Sequence, residues 1–277
     1  MSNMDDKFII RQLQNNEEFL ACEALELEIW GQSFSECVPP SLLMVSQKVG
    51  GVTAGAFDEK DGLIGFVYGL TGWKDGRLVH WSHMLAVRKE HRDKHLGIRL
   101  KEFQKDFVQK LGVEIMYWTY DPLVARNAHI NLNRLGVSVE EYVPHMYVEG
   151  NEADLHRGIG MDRFVVRWDL SQPSKDGKSK EFPDERFVEA PITNTIPSET
   201  SSGIPTMPNL TDDSVVRVEI PCDIHAIQEQ SLEIAATWRE CTRPAFVHYL
   251  ERDYRVAGFH RDRENGQCFY GLTRNEV

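Results

Sequence analysis

The stretch from Val79 to Lys101, VHWSHMLAVRKEHRDKHLGIRLK, constrains this chain more than any other. An apolar, strand-like run ends at Val87. Arg88, Lys89, Arg92, Lys94, Arg99 and Lys101 then crowd around Gly97, and the apolar spacing changes from period two to helical. A solvated helix face would account for the charges but not for the change of period. A strand ending at Val87, a loop, and a helix beginning near His95 bring several unpaired backbone N–H groups and the positive end of a helix to one point in space. Such a point suits a phosphate.

The rest of the chain reads as alternating elements around this junction. FIIRQL (8–13) suits a first strand. NNEEFLACEALELEIWG suits a helix, and a second helix follows between Pro39-Pro40 and Gly50-Gly51. VTAGAFD and GLIGFVYGLTG are strands joined by the turn EKDG, and RLVHWSHMLAVR is a third. The helix after the junction places Leu96, Leu100, Phe103, Phe107 and Leu111 on one face. VEIMYWTYDP is the next strand, VARNAHINLNRLG a short helix, and strands follow near EEYVPHMYV and DRFVVRWDL. Residues 171–212 are rich in Pro, Ser, Thr and charge, a linker or surface arm. Residues 213–277 read as a small strand-helix-hairpin domain with an Asn265-Gly266 turn, marginal in size and expected to dock on the main domain or on a second subunit.

A formal net charge of -12 in 277 residues argues against nucleic acid or an anionic membrane as the main partner, since both would be repelled. The five cysteines are scattered, with no CxxC pair and no zinc-like spacing, and read as reduced thiols. The amino terminus lacks the pattern of a signal peptide, and the longest apolar stretch is too short to span a bilayer. A soluble, cytoplasmic protein without a metal is the expectation.

The loop Arg92-Asp93-Lys94-His95-Leu96-Gly97, placed after a strand and opening a helix, resembles the R/Q-x-x-G-x-G/A signature of the Gcn5-related N-acetyltransferase (GNAT) superfamily, with His95 where the first Gly usually sits. The order of elements is similar to that superfamily over roughly residues 7–170. SHMLAV, WTYDPLVARNA, GIGMDRFVVRWDL and WRECTRPAF look like a subfamily of predicted acyltransferases related to N-succinyltransferases of amino acids. The resemblance implies an α/β (α+β) fold with a mixed, mostly antiparallel, splayed sheet flanked by helices. It makes residues 1–170 the acyltransferase domain, ahead of the 171–212 arm and the small carboxyl-terminal α+β domain.

It also implies acetyl-CoA or another acyl-CoA as co-substrate. The pantetheine arm would add to the free strand edge at Leu85, Ala86 and Val87, and the pyrophosphate would meet the loop Arg92, Asp93, Lys94, His95, Leu96 and Gly97. Backbone donors near Met84 and Leu85 would polarise the thioester carbonyl. Asn127 matches an Asn that holds the pantetheine or adenosine side; as a bare residue it equally suits a helix cap.

An acceptor that arrives as an ammonium ion needs a base, and His83 is the candidate, with an ordinary pKa of about 6.5; His80 points to the opposite face by strand alternation. A half-buried structural histidine is the plain alternative. The family's Tyr acid, one turn before Gly136, is replaced by Leu132. Tyr147 is the substitute, though a thiol of pKa about 8.5 can depart without an acid. Arg126, Arg157, Arg163, Arg239 and Arg243 could each receive a substrate carboxylate. Arg163 in MDRF and Arg243 in CTRPAF fall inside the subfamily-like blocks. The resulting reading is transfer of an acetyl or succinyl group to a small amine, an amino acid above all, by a homodimer. The alternatives are a non-catalytic CoA-binding module and a protein N-acetyltransferase.

Overall fold

The computed structural model describes residues 8–32, 34, 36–60, 62–92, 95–147, 159–172, 185–195, 204–262 and 265–274. The chain divides into two compact units, Met1–Trp118 with Asp169–Gln172, and Thr119–Trp168 with Pro173–Val277. The division falls inside a strand, whereas the sequence had suggested a boundary at residue 170.

The first unit carries β1 (Ile9–Gln12), α1 (Asn16–Trp30), α2 (Pro40–Lys48), β2 (Val52–Phe57), β3 (Leu63–Lys74), β4 (Arg77–Val87), α3 (Leu96–Gln109) and most of β5 (Ile115–Tyr120). β1/β2, β2/β3 and β3/β4 pair antiparallel, and β4/β5 pair parallel around α3. The turn before β3 is closed by Asp58, whose carboxylate accepts from the N–H groups of Lys60 and Gly62. α1 starts at Asn15, whose side chain accepts from Glu18 N. Phe19, Cys22 and Leu25 of α1 and Leu43 of α2 join Phe66, Tyr68, Met84 and Ala86 of the sheet in one core.

α3 presents a different face from the one expected. Leu96, Leu100, Lys101, Gln104 and Val108 are buried, while Phe103 and Phe107 are half-buried and Leu111 is exposed. The stripe was right at its start and then turned, because two polar side chains find partners inside.

The second unit carries α4 (Ala125–Ala128), which runs on as a π-helix (His129–Leu135), β6 (Ser138–Val143), β7 (Arg163–Asp169), α5 (Glu185–Glu189), β8 (Val215–Ile220), α6 (Ile224–Gln230), α7 (Leu232–Leu250), β9 (Tyr254–Asp262) and β10 (Gln267–Arg274). Strand order is β1-β2-β3-β4-β5-β7-β6 in the seven-stranded sheet and β8-β10-β9 in the three-stranded one, with antiparallel pairing in β6/β7, β8/β10 and β9/β10. The expected single helix after Asp223 is two, because Ser231 leaves helical geometry to cap α7, and α7 then continues through Pro244. The arm is partly built in: Phe187, Ala190 and Asn194 are buried, and the Asn194 amide bonds the backbone N–H and carbonyl of Glu219 on β8. Phe164, Tyr142, Phe246 and Tyr270 pack edge-on or tilted as an aromatic core, with ring centroids 4.9–5.6 Å apart. Among the described residues no helix is long and apolar enough to cross a membrane.

Candidate functional site

In the first unit β4 and β5 pair only at Val79↔Ile115, His80↔Met116 and Trp81↔Tyr117. Beyond Trp81 the ladder stops, and the edge of β4 from Ser82 to Val87 continues without a partner on β5. An edge of this kind has free N–H and C=O groups to which an extended ligand can add. Leu85, Ala86 and Val87, expected to receive such a ligand, lie on it. On its other side β4 stays paired to β3 down to Gly65↔Val87, with one irregularity: Tyr68 faces Met84 and Gly69 faces Ser82. His83 is the extra residue of that bulge.

The bulge gives His83 its setting. Its side chain reaches solvent, and its ring stands edge-on to Tyr68 with centroids 5.9 Å apart. The protein packed around the ring lowers its pKa below 6.5, an effect that Glu36 partly opposes. At neutral pH the imidazole is therefore neutral and able to accept a proton.

His80 faces inward. Gln104 Nε2 lies 3.0 Å from its Nε2, and Thr71 Oγ1, whose own proton goes to Gly50 O, lies 3.0 Å from its Nδ1. These partners assign the proton to Nδ1, and burial together with nearby Lys101 holds the ring neutral, with a pKa of about 3. His80 is structural.

The loop after β4 holds itself closed through Arg92 Nε, which donates to Val87 O over 3.1 Å. His95 precedes α3 in the left-handed conformation, φ 57°, and gives the helix no side-chain cap. That conformation is the physical reason for a Gly in the related pattern, and the missing cap leaves the first-turn N–H groups of α3 available to an anion. Leu96 is buried and anchors the helix, and Gly97 is open enough that an added Cβ would touch only Leu85. Asp93 and Lys94 lie outside the described residues. A free strand edge leading to an uncapped helix start therefore suits a pantetheine followed by a pyrophosphate.

Three further predicted residues belong to the second unit. Asn127 is half-buried inside α4 and does not cap it; the cap position is Val124. Tyr147 follows β6 in a turn and not in a strand, its hydroxyl 3.1 Å from Thr119 Oγ1. Arg163 is buried at the start of β7, its Nη1 donating to Asp162 O, its guanidinium 3.6 Å from Asp121 and over the Tyr147 ring at 5.5 Å. Arg243 donates from Nε and Nη2 to the two oxygens of Asp162. Arg239, also buried, places Nη2 2.7 Å from both oxygens of Asp121, while its Nη1 has no hydrogen-bond partner among the described residues. Arg157 lies outside the described residues.

Sequence reasoning missed several groups. Asp121 closes the turn at Pro122 by accepting from Leu123 N, but its pairing with Arg239 was not foreseen, and Asp162 was not singled out. Glu26, on the inner face of α1, accepts from Val38 N and is raised by burial to a pKa of about 7. Lys101 and Ser82 form a buried pair at the point where β4 and β5 part. The stripe Leu96-Leu100-Gln104-Val108, read with its polar member kept, was the signal that could have placed α3 correctly.

The splayed parallel pair, the bulged strand before the split and the loop into α3 decide the architecture. The fold is the GNAT fold. No family model matches the sequence, and no curated protein matches it. Among solved structures, the NatC complex bound to Gag peptide and CoA is similar over 59% of this chain and 98% of its own, with 20% identity and a TM-score of 0.47. The ribosomal-protein-S18-alanine N-acetyltransferase from Escherichia coli is similar over 61% and 98%, with 14% identity and a TM-score of 0.46. A putative acetyltransferase from Salmonella typhimurium with its cofactor acetyl-CoA gives 61% and 96%, 16% identity and a TM-score of 0.46.

Proposed function

We propose that this GNAT-fold chain is an acyl-CoA-dependent N-acyltransferase that moves an acetyl or succinyl group to the amino group of a small molecule, an amino acid. The observation that carries the proposal is the unpaired β4 edge from Ser82 to Val87, which begins at the His83 bulge and leads to the uncapped start of α3. An acyl-CoA would supply the activated acyl group. The chain's own part is to bind the pantetheine along Leu85, Ala86 and Val87, hold the phosphates at Arg92 and the α3 start, and take the acceptor's proton at His83. Arg243 already gives Nε and Nη2 to the two oxygens of Asp162, and Arg163 is buried beside Asp121, so neither is assigned to an acceptor carboxylate.

Thiol release from acetyl-CoA and succinyl-CoA against L- and D-amino acids and simple amines, with His83→Ala beside the wild type, tests this. The expected result is turnover on at least one pair that falls 100-fold or more in the variant, within the range of about 10²–10⁴ for a lost general base. CoA binding without turnover on any pair would favour a non-catalytic module or a protein substrate instead.

A further inference from the structure

Lys101 Nζ donates to Ser82 Oγ over 2.6 Å and sits 3.9 Å from the Trp118 ring centroid. The positions of these partners matter. Trp81↔Tyr117 is the last β4–β5 pair, so Ser82 and Trp118 are the first residues on each strand that do not pair across. Both turn to the same amine, which therefore stands at the apex of the split. Lys101 and Ser82 are 7% and 4% exposed.

Its surroundings hold no countercharge among the described residues. From β4, His80 faces the amine as a neutral ring already committed to Thr71 and Gln104. From β5 there is the indole, and on α3 itself the Gln104 amide. With one hydroxyl and one aromatic face as its partners, the ammonium form is poorly solvated, and burial lowers its pKa well below the usual lysine value. The Ser82 hydroxyl hydrogen has no acceptor among the described residues. A hydroxyl backed by a buried amine therefore stands where the two strands part.

We propose that Lys101 and Ser82 supply the proton that the departing thiolate of CoA takes up, the role left open where Leu132 replaces the related tyrosine. This rests on the acyltransferase reading above. As the acceptor nitrogen bonds to the thioester carbon and the C–S bond breaks, the electron pair goes to sulfur. The Ser82 Oγ proton moves to that sulfur, and the Lys101 ammonium returns a proton to Ser82 Oγ and is left neutral. His83 takes the proton lost by the acceptor nitrogen, and both Lys101 and His83 exchange with solvent after the products leave.

The relay can be read without turnover. The full chain is titrated with CoA at varied pH, and the ultraviolet absorption of the bound thiolate is followed, with desulfo-CoA as the blank. In the wild type the relay is expected to keep the bound sulfur protonated, so that the thiolate fraction at pH 8 falls about tenfold below that of free CoA, a shift of one unit in the thiol. Lys101→Met and Ser82→Ala, each checked for native circular dichroism and CoA affinity, are expected to abolish that fall. If Lys101→Met does not fold, Ser82→Ala carries the test by itself. A bound thiol that titrates alike in the wild type and Ser82→Ala, or that responds to Tyr147→Phe instead, overturns the relay while leaving the acyltransferase reading intact. Failure of the wild type to bind CoA overturns both.

Discussion

Gly69 stands where a Cβ would lie 2.3 Å from His80 Nε2, 2.7 Å from Gln104 Nε2 and 2.7 Å from Trp81 O. The missing side chain is what lets the β4 histidine turn inward and meet α3 beside the bulge. Gly69→Ala should therefore destabilise the chain by about 2 kcal/mol or more through overpacking, read as a lower denaturant midpoint with unchanged slope. A change within about 0.5 kcal/mol would show that His80 is not held as described.

His83 titrates below 6.5 because packing around the ring disfavours the imidazolium, with Glu36 partly offsetting this. A base works only when neutral, so turnover on the acceptor identified above should rise with pH through a midpoint below 6.5 and then level. Glu36→Gln removes the anion that favours the charged ring and should move that midpoint lower still. An acid limb at or above 6.5, or one that moves upward in Glu36→Gln, would remove His83 from the base role.

Glu26 gives the opposite sign of pH dependence from an ordinary surface carboxylate. Burial raises its pKa from 4.5 to about 7, opposed by the Val38 N–H and Cys37, so the folded chain holds a proton there that the unfolded chain releases. The raised value favours the fold below 4.5, and the advantage is lost as pH rises from 4.5 through about 7. Glu26→Gln keeps an acceptor for Val38 N without the charge, and at pH 8 it should be more stable than the wild type by roughly 2–3 kcal/mol. Equal stabilities at pH 8 would contradict this.

Much of the candidate site was legible because it rests on local rules. A strand that ends at Val87 and a helix that starts after His95 can be seen from apolar period alone, and the turns at Asp58 and Asn265 follow from their side chains. What escaped was decided by contacts distant in sequence. The inner face of α3 was misplaced because Lys101 and Gln104 are buried by Ser82, Trp118 and His80, none of which lies on the helix. Asp121 is the turn residue that Asp-Pro suggests, but its second role was hidden because Arg239, which binds it, belongs to a helix more than a hundred positions along the chain. The bulge at His83 leaves no mark in β4 itself; it shows only in how Tyr68 and Gly69 of β3 align. The helix break at Ser231 was local, a capping serine ahead of LEIA, where a single helix was expected.

The most direct measurement is hydrogen–deuterium exchange of the full chain with and without saturating CoA. Slower exchange confined chiefly to the β4 edge from Ser82 to Val87 and to the first turn of α3 is the predicted result. CoA binding with no protection at those amides, or no binding at all, would contradict the assignment of the split between β4 and β5 as the acyl-CoA site.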